Sequence, residues 1–291
     1  MGVAIAFMRA GVVLALALAS PLGAAPHDEE GFRVSPQELR ATVKKICLRE
    51  IAGDLDGERY RPRLLWLEQF ISSQLARAGF ATVGSDRVEP ALAKARAQAG
   101  GMHDAFTGRV MPAKRVAVEG AERSALAELG CGATLAPAIH VVRMRWREGV
   151  ASWDYIEHSL GGGSAYVGTA QAISLWLELR DVSGTALIER AGGIESLSTL
   201  EGGFLSDPEW HDAAPENLLG TAMWNARAVI AALGALVPPP SPEVAQCIAR
   251  VTKKVDPVAQ RAQCEAEAFA FVPPKKEEAQ AKPDQSVPRG E

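Results

Sequence analysis

The spacing of apolar positions changes along the chain, and each change marks an element. Residues 61–78 place Leu64, Leu65, Phe70, Ile71 and Leu75 three and four apart, which is one apolar stripe of a helix. Pro62 suits its first turn, and Gly79 stops it. Ahead of it, residues 44–51 carry Ile46, Leu48 and Ile51 in a short run closed by Gly53, Asp54, Asp56 and Gly57, which predicts a first strand. Residues 80–83 predict a second. An Ala-rich helix over 90–98 ends at Gly100 and Gly101, a loop fills 101–112, and a third helix is expected over about 116–129.

Beyond Gly130 the period falls to two. Residues 133–146 set His140, Val142, Met144 and Trp146 on one face and Arg143, Arg145 and Arg147 on the other, a strand leaving the core for solvent. His140 is expected to be a core residue with its hydrogen bond satisfied. A second run covers 150–158, and the Gly-rich loop 160–164 follows. The strongest strand pattern is 169–181, where Ile173, Leu175, Leu177 and Leu179 alternate with Ala172, Ser174, Trp176, Glu178 and Arg180. Asp181, Ser183 and Gly184 form a turn, and 185–191 returns as the hairpin partner.

A helix over 217–236 carries Leu218, Met223, Trp224 and Ile230, and Pro238, Pro239, Pro240 and Pro242 then close the main domain. Two helices, 243–254 and 257–268, flank an Asp256-Pro257 junction in which Asp256 is the cap and Pro257 the first helical residue. The predicted class is α/β (α+β). It has a single mixed sheet with helices packed on it, a βαβαβ start, an antiparallel meander and a C-terminal helical appendage. The domain reading is a lead-in over 26–42, loose through 40, an α/β domain over 43–237, a Pro linker with a disulfide-closed helical hairpin over 238–272, and a disordered tail over 273–291.

The first 25 residues hold one cation, Arg9, then the apolar run 10–19, then Ser20, Pro21 and Gly23. That order predicts a bacterial signal peptide cut after Ala24 or Ala25, with Met1 or Met8 as the start. The apolar run is well short of the roughly 20 residues that span a bilayer, which argues against an anchor. The first cysteine is Cys47, so a lipoprotein signal is not expected. Without residues 1–25 the chain has 30 Lys+Arg against 35 Asp+Glu, and such a surface has no reason to seek nucleic acid or anionic lipid.

Cys47, Cys131, Cys247 and Cys264 are even in number and bound for an oxidising compartment, so two disulfides are expected. Of three connectivities, Cys247 with Cys264 is favoured, because both lie in one short helical segment. Cys47 and Cys131 then pair or stay as buried thiols. Metal binding lacks the two-residue Cys spacing of zinc sites.

The opening over 44–83, with an apolar strand, an acidic loop, a long helix and a second strand around Gly79, Phe80 and Val83, is followed by paired strands meeting at Leu179, Arg180, Asp181, Val182, Ser183 and Gly184. This pattern resembles the α/β unit shared by TolB N-terminal domains and CsgG-like envelope proteins, over roughly 43–195. The resemblance implies a fold and an envelope setting; it carries no catalytic motif.

Chemistry is sparse. Gly161-Gly162-Gly163-Ser164 lacks the Gly-Lys-Ser/Thr ending of a phosphate loop, and Tyr166 stands where a nucleophile elbow needs its second glycine. His103 with Asp104, His158 with Glu157, and His211 with Asp212 are acid-histidine neighbours that would make a metal or acid-base site only by converging. No catalytic, cofactor or metal residue is assigned. Trp153, Asp154 and Tyr155, and Trp210 in the segment 207–210, are the candidate partner contacts, the alternative being aromatics that pack on the sheet. The expected function is a non-enzymatic periplasmic module that binds an unidentified envelope protein. A periplasmic hydrolase, metal-dependent or not, and a small-molecule-binding protein with a cleft between sheet and C-terminal helices are the alternatives.

Overall fold

The computed structural model describes residues 31–103, 107–147, 149–159, 167–201, 209–251 and 256–269. The leader over 1–25, the Gly-rich loop 160–164, Asp104, Asp207, Pro208 and the tail 273–291 lie outside the described residues.

Strand β4 (Ala133–Arg147) is the hub of an eight-stranded mixed sheet. Its whole length pairs antiparallel with β7 (Val167–Asp181), which pairs antiparallel with β8 (Ala186–Ser196). Its other edge is shared in succession by β1 (Lys45–Leu48) and β2 (Ala52–Gly53), both parallel, and by β5 (Val150–Trp153), antiparallel. β3 (Ala81–Val83) lies parallel to β1, and β6 (Ile156–Ser159) antiparallel to β5. A separate two-stranded ladder joins β9 (Ser198–Glu201) to β10 (Glu209–Asp212).

Helices cover both faces, so the predicted mixed α/β class is what the chain adopts. On one face α2 (Gly57–Arg77) supplies Leu67, Phe70, Ile71 and Leu75, and α5 (Ala222–Leu233) supplies Ala226, Val229, Ile230 and Leu233. They meet Ile46, Leu135, Ile139 and the row Ile173, Leu175, Leu177 and Leu179. On the other, α3 (Ser85–Gln98) and α4 (Pro112–Glu128) enclose Cys47, Val83, Val88, Leu92 and Cys131. Ile46, Cys47 and Leu48 thus feed alternate faces, as a strand buried on both sides must. Disulfides join Cys47 to Cys131 and Cys247 to Cys264.

Several elements differ from expectation. The lead-in is ordered from Gly31: Gly31–Arg33 hydrogen-bond the edge of β8, and α1 (Pro36–Thr42) follows with Ser35 as its cap. α2 begins before Pro62, because the Asp56 carboxylate accepts from the Glu58 and Arg59 amides and starts the helix at Gly57. The run 150–158 is two strands about a turn at Asp154 and Tyr155. His140 is not in the core: its side chain is 44% exposed, its Nδ1 lies 3.5 Å from Asp54, and its ring is edge-on to Trp176. The Val141 amide and His140 hold the Asp54 carboxyl below its usual range.

The C-terminal hairpin is α6 (Pro242–Arg250) and α7 (Pro257–Ala268), with Asp256 capping α7 and Pro257 first in the helix. It is built onto the main body: α7 lies along α5, and Phe269 stands edge-on to the stacked pair Trp66 and Phe70. Among the described residues no helix is long and apolar enough to cross a membrane.

The approach to α5 is fixed by Glu195. Its carboxylate accepts the amide of Leu219, whose φ of 57° puts a non-glycine residue in the left-handed region. Burial pushes the Glu195 carboxyl above its ordinary value of 4.5. A raised folded-state value means that the folded chain holds more protons than the unfolded chain above 4.5, so this group's contribution falls as pH rises through that window. Glu195→Gln keeps an acceptor for Leu219 without the charge. Urea unfolding of the variant across that window is expected to show a flatter decline than wild type, and an unchanged slope would contradict the assignment.

Candidate functional site

The turn between β5 and β6 is built from residues that do not favour it. Asp154 and Tyr155 have φ of 36° and 64°, the two positive values that a two-residue hairpin turn requires and that Asn-Gly or Asp-Gly usually supplies. A tyrosine there costs roughly 1–2 kcal/mol relative to a residue at ease in that region. What the strain achieves is placement. Trp153 turns inward, buried, and donates Nε1 to the Ile173 carbonyl at 3.3 Å. Tyr155 stays 46% exposed over a cleft of about 930 Å³.

Two consecutive glycines admit the cleft walls. Gly192 and Gly193 point to opposite faces of β8. A Cβ on Gly192 would strike the Ala228 carbonyl of α5, and one on Gly193 would strike Trp153 and Ile156. The helix and the hairpin therefore both approach the strand as closely as backbone allows, and the Gly193 amide donates to the Asp154 carbonyl at 3.1 Å.

Three arginines line the space. Arg190 is buried, with its guanidinium between the rings of Phe32 at 5.4 Å and Tyr155 at 5.1 Å, and donates to the Ala231 carbonyl at 3.2 Å. Arg227 reaches from α5 to Asp256 at 3.2 Å and to the Glu157 carbonyl at 3.0 Å. Burial pushes its pKa down, and Asp256 opposes that shift. Arg261 of α7 bonds Glu265 and the Pro238 carbonyl; burial pushes it down likewise, against Glu265. Asp154, Glu157 and Asp256 balance these cations on the lining. Among the described residues nothing hydrogen-bonds Arg227 Nε, Arg261 Nε or Asp154 Oδ2, three buried polar atoms around the cleft. Each carries the desolvation cost of a buried polar atom.

Of the candidates named from sequence, Trp153, Asp154 and Tyr155 come together here, with Trp153 as support and Tyr155 as surface. Trp210 lies on β10, in a different ladder, and its side chain is outside the described residues. His103 precedes α4, His158 is on β6 and His211 on β10. Among the described residues no group of three or more His, Cys, Asp or Glu side chains is placed to hold a metal ion. Sequence reasoning missed Arg190, Arg227 and Arg261, which come from three separate elements. The Gly192-Gly193 pair was the one local signal of a close approach.

No family model matches the chain, and no curated protein matches it. Among solved structures it is similar to a PelC dodecamer from Paraburkholderia phytofirmans, at 14% identity over 67% of this chain and 89% of that chain. The TM-score is 0.28, a likeness that assigns neither fold nor function here.

Proposed function

We propose that this chain is an exported, non-catalytic protein of the bacterial cell envelope, akin to the TolB and CsgG-like α/β unit, and that it works by binding another envelope protein at the Tyr155 cleft. The observation that carries the reading is the strained turn, which holds an exposed tyrosine over a cleft bearing three arginines at the cost of local backbone preference. The leader over 1–25 and the two disulfides support export to an oxidising compartment.

A photoreactive residue placed at Tyr155 is expected to cross-link to one discrete envelope protein, and the same residue at exposed Val116 on α4 is not. Tyr155→Asn, which keeps a side chain tolerant of the left-handed turn, should weaken binding of that protein about tenfold, as loss of an aromatic anchor does. No adduct, or the same adducts from both positions, sinks the reading. A second reading, small-molecule binding, is favoured by the cleft volume, which falls within the range of ligand sites. It predicts a rise in melting temperature with ligand that Tyr155→Asn abolishes.

A further inference from the structure

The distal half of β4 runs past β1 and β2, and there, among the described residues, β7 and β5 are the strands that flank it. One face of this ribbon is sealed, with Met144 and Trp146 packed against Ala151, Trp153, Ile156 and Ala172. The other presents Arg143, Arg145 and Arg147, all exposed. Alternate residues of a strand stand roughly 7 Å apart, so the three cations form a stripe about 14 Å long.

The cross-strand neighbours give the stripe a second character. Gln171 lies opposite Arg143, and Thr169 and Ser152 flank Arg145. Val167 and Val150 flank Arg147, 70% and 38% exposed, and Val141 is 37% exposed at the inner end. Glu157 pairs with Ser152 on β6, roughly 10 Å from Arg145 at the usual strand spacing. Glu148 follows Arg147 in the sequence.

Net charge alone argues against an anionic partner, with 31 Lys+Arg to 35 Asp+Glu, but its distribution argues the other way. With Glu148 and Glu157 counted beside the three arginines the ribbon is net +1, while the rest of the chain holds 28 Lys+Arg to 33 Asp+Glu, so an anionic surface would orient the molecule ribbon-first. The exposed valines distinguish among anionic surfaces. A soluble acidic polymer gains little from them, whereas a bilayer accepts guanidinium groups at phosphate level and small apolar groups beneath.

We propose that the Arg143, Arg145, Arg147 face, with Val150 and Val167, docks peripherally on an anionic phospholipid surface. This goes beyond the cleft, which adjoins the stripe at Ser152 and Glu157 but does not include the three arginines or the two valines. The test floats the full chain with vesicles of phosphatidylglycerol and phosphatidylethanolamine at low salt, and with phosphatidylcholine vesicles, which report any contribution of the apolar leader.

Wild type is expected on the anionic vesicles and to leave them as salt rises. The triple variant Arg143→Gln/Arg145→Gln/Arg147→Gln should lose roughly a hundredfold in affinity, from a few-fold per cation near the surface. Arg33→Gln/Arg59→Gln/Arg61→Gln, which removes the same charge elsewhere, should lose far less. Val150→Ser/Val167→Ser should weaken vesicle binding without changing binding to soluble polyphosphate, and Tyr155→Asn should leave vesicle binding intact. If the ribbon triple fails to fold, Arg145→Gln alone, with about a fivefold loss expected, serves in its place. The proposal is overturned if wild type ignores anionic vesicles, if both triples lose equally, or if the valine variant binds vesicles as wild type does.

Discussion

Replacing Glu265 with alanine is expected to lower the unfolding free energy by about 3 kcal/mol, at the lower end of the range for breaking a buried ion pair. Glu265 is 3% exposed on α7 and accepts from Arg77 at 2.5 Å, Gln74 at 3.3 Å and Arg261 at 3.3 Å. Its removal leaves two cations facing each other without the carboxylate between them. Both arginines keep some access to solvent, which holds the loss near that lower end. The same arginines donate to the carbonyls of Pro238 and Pro239, so the linker between the α/β body and the hairpin loosens with them. Glu265→Gln keeps an acceptor and should lose about 1–2 kcal/mol. Urea unfolding measures both, and a loss below about 1 kcal/mol for the alanine variant would show that α7 is held by packing alone.

Where one face of an element was buried along its length, the sequence was readable. The alternation from Ile173 to Leu179 marks β7 because those residues share one apolar core with α2 and α5, while Trp176 and Arg180 between and after them are exposed. The same logic failed for His140. From Ala133 to Ile139 the odd positions of β4 are buried by the helical layer, but at Met144 and Trp146 the even positions are buried by the β5 and β6 hairpin. His140 lies where the covered face changes, and a periodic reading extends the wrong face through it.

The hairpin itself was missed because its turn carries Asp-Tyr where hairpins ordinarily carry Asn-Gly. β8 was cut short at Ala191 because Gly192 and Gly193 look like a break; they are instead the points at which α5 and Trp153 come against the strand. Ser35-Pro36 followed by Glu38 is a helix start, yet the polar composition around it suggested a loose segment. The cleft was legible only in part. Trp153, Asp154 and Tyr155 form a visible cluster, but Arg190, Arg227 and Arg261 converge through tertiary contacts that no local spacing announces.

Removing the Cys47 to Cys131 bridge, by Cys47→Ala/Cys131→Ala, is expected to have the largest effect, about 4–5 kcal/mol in the chain-entropy account for a closed loop of this size. The bridge spans a sequence separation of 84 and ties β1 to the entry of β4, within the apolar layer of Val88 and Leu92. The second bridge spans 17 residues, for which the same account gives about 3 kcal/mol. Typical domains have only about 5–15 kcal/mol in total, so the chain without both bridges would stand near the edge of folding. Equilibrium unfolding of the two double variants should therefore rank the Cys47 pair above the Cys247 pair, and the reverse order would show that packing around Cys264 outweighs loop closure. Cys47 and Cys131 are both buried, whereas Cys247 is partly exposed, so a mild reductant followed by alkylation should label the Cys247 pair first. Labelling of Cys47 should wait for global unfolding. A chain that lost this much with its long-range bridge would reach full stability only where thiols are oxidised.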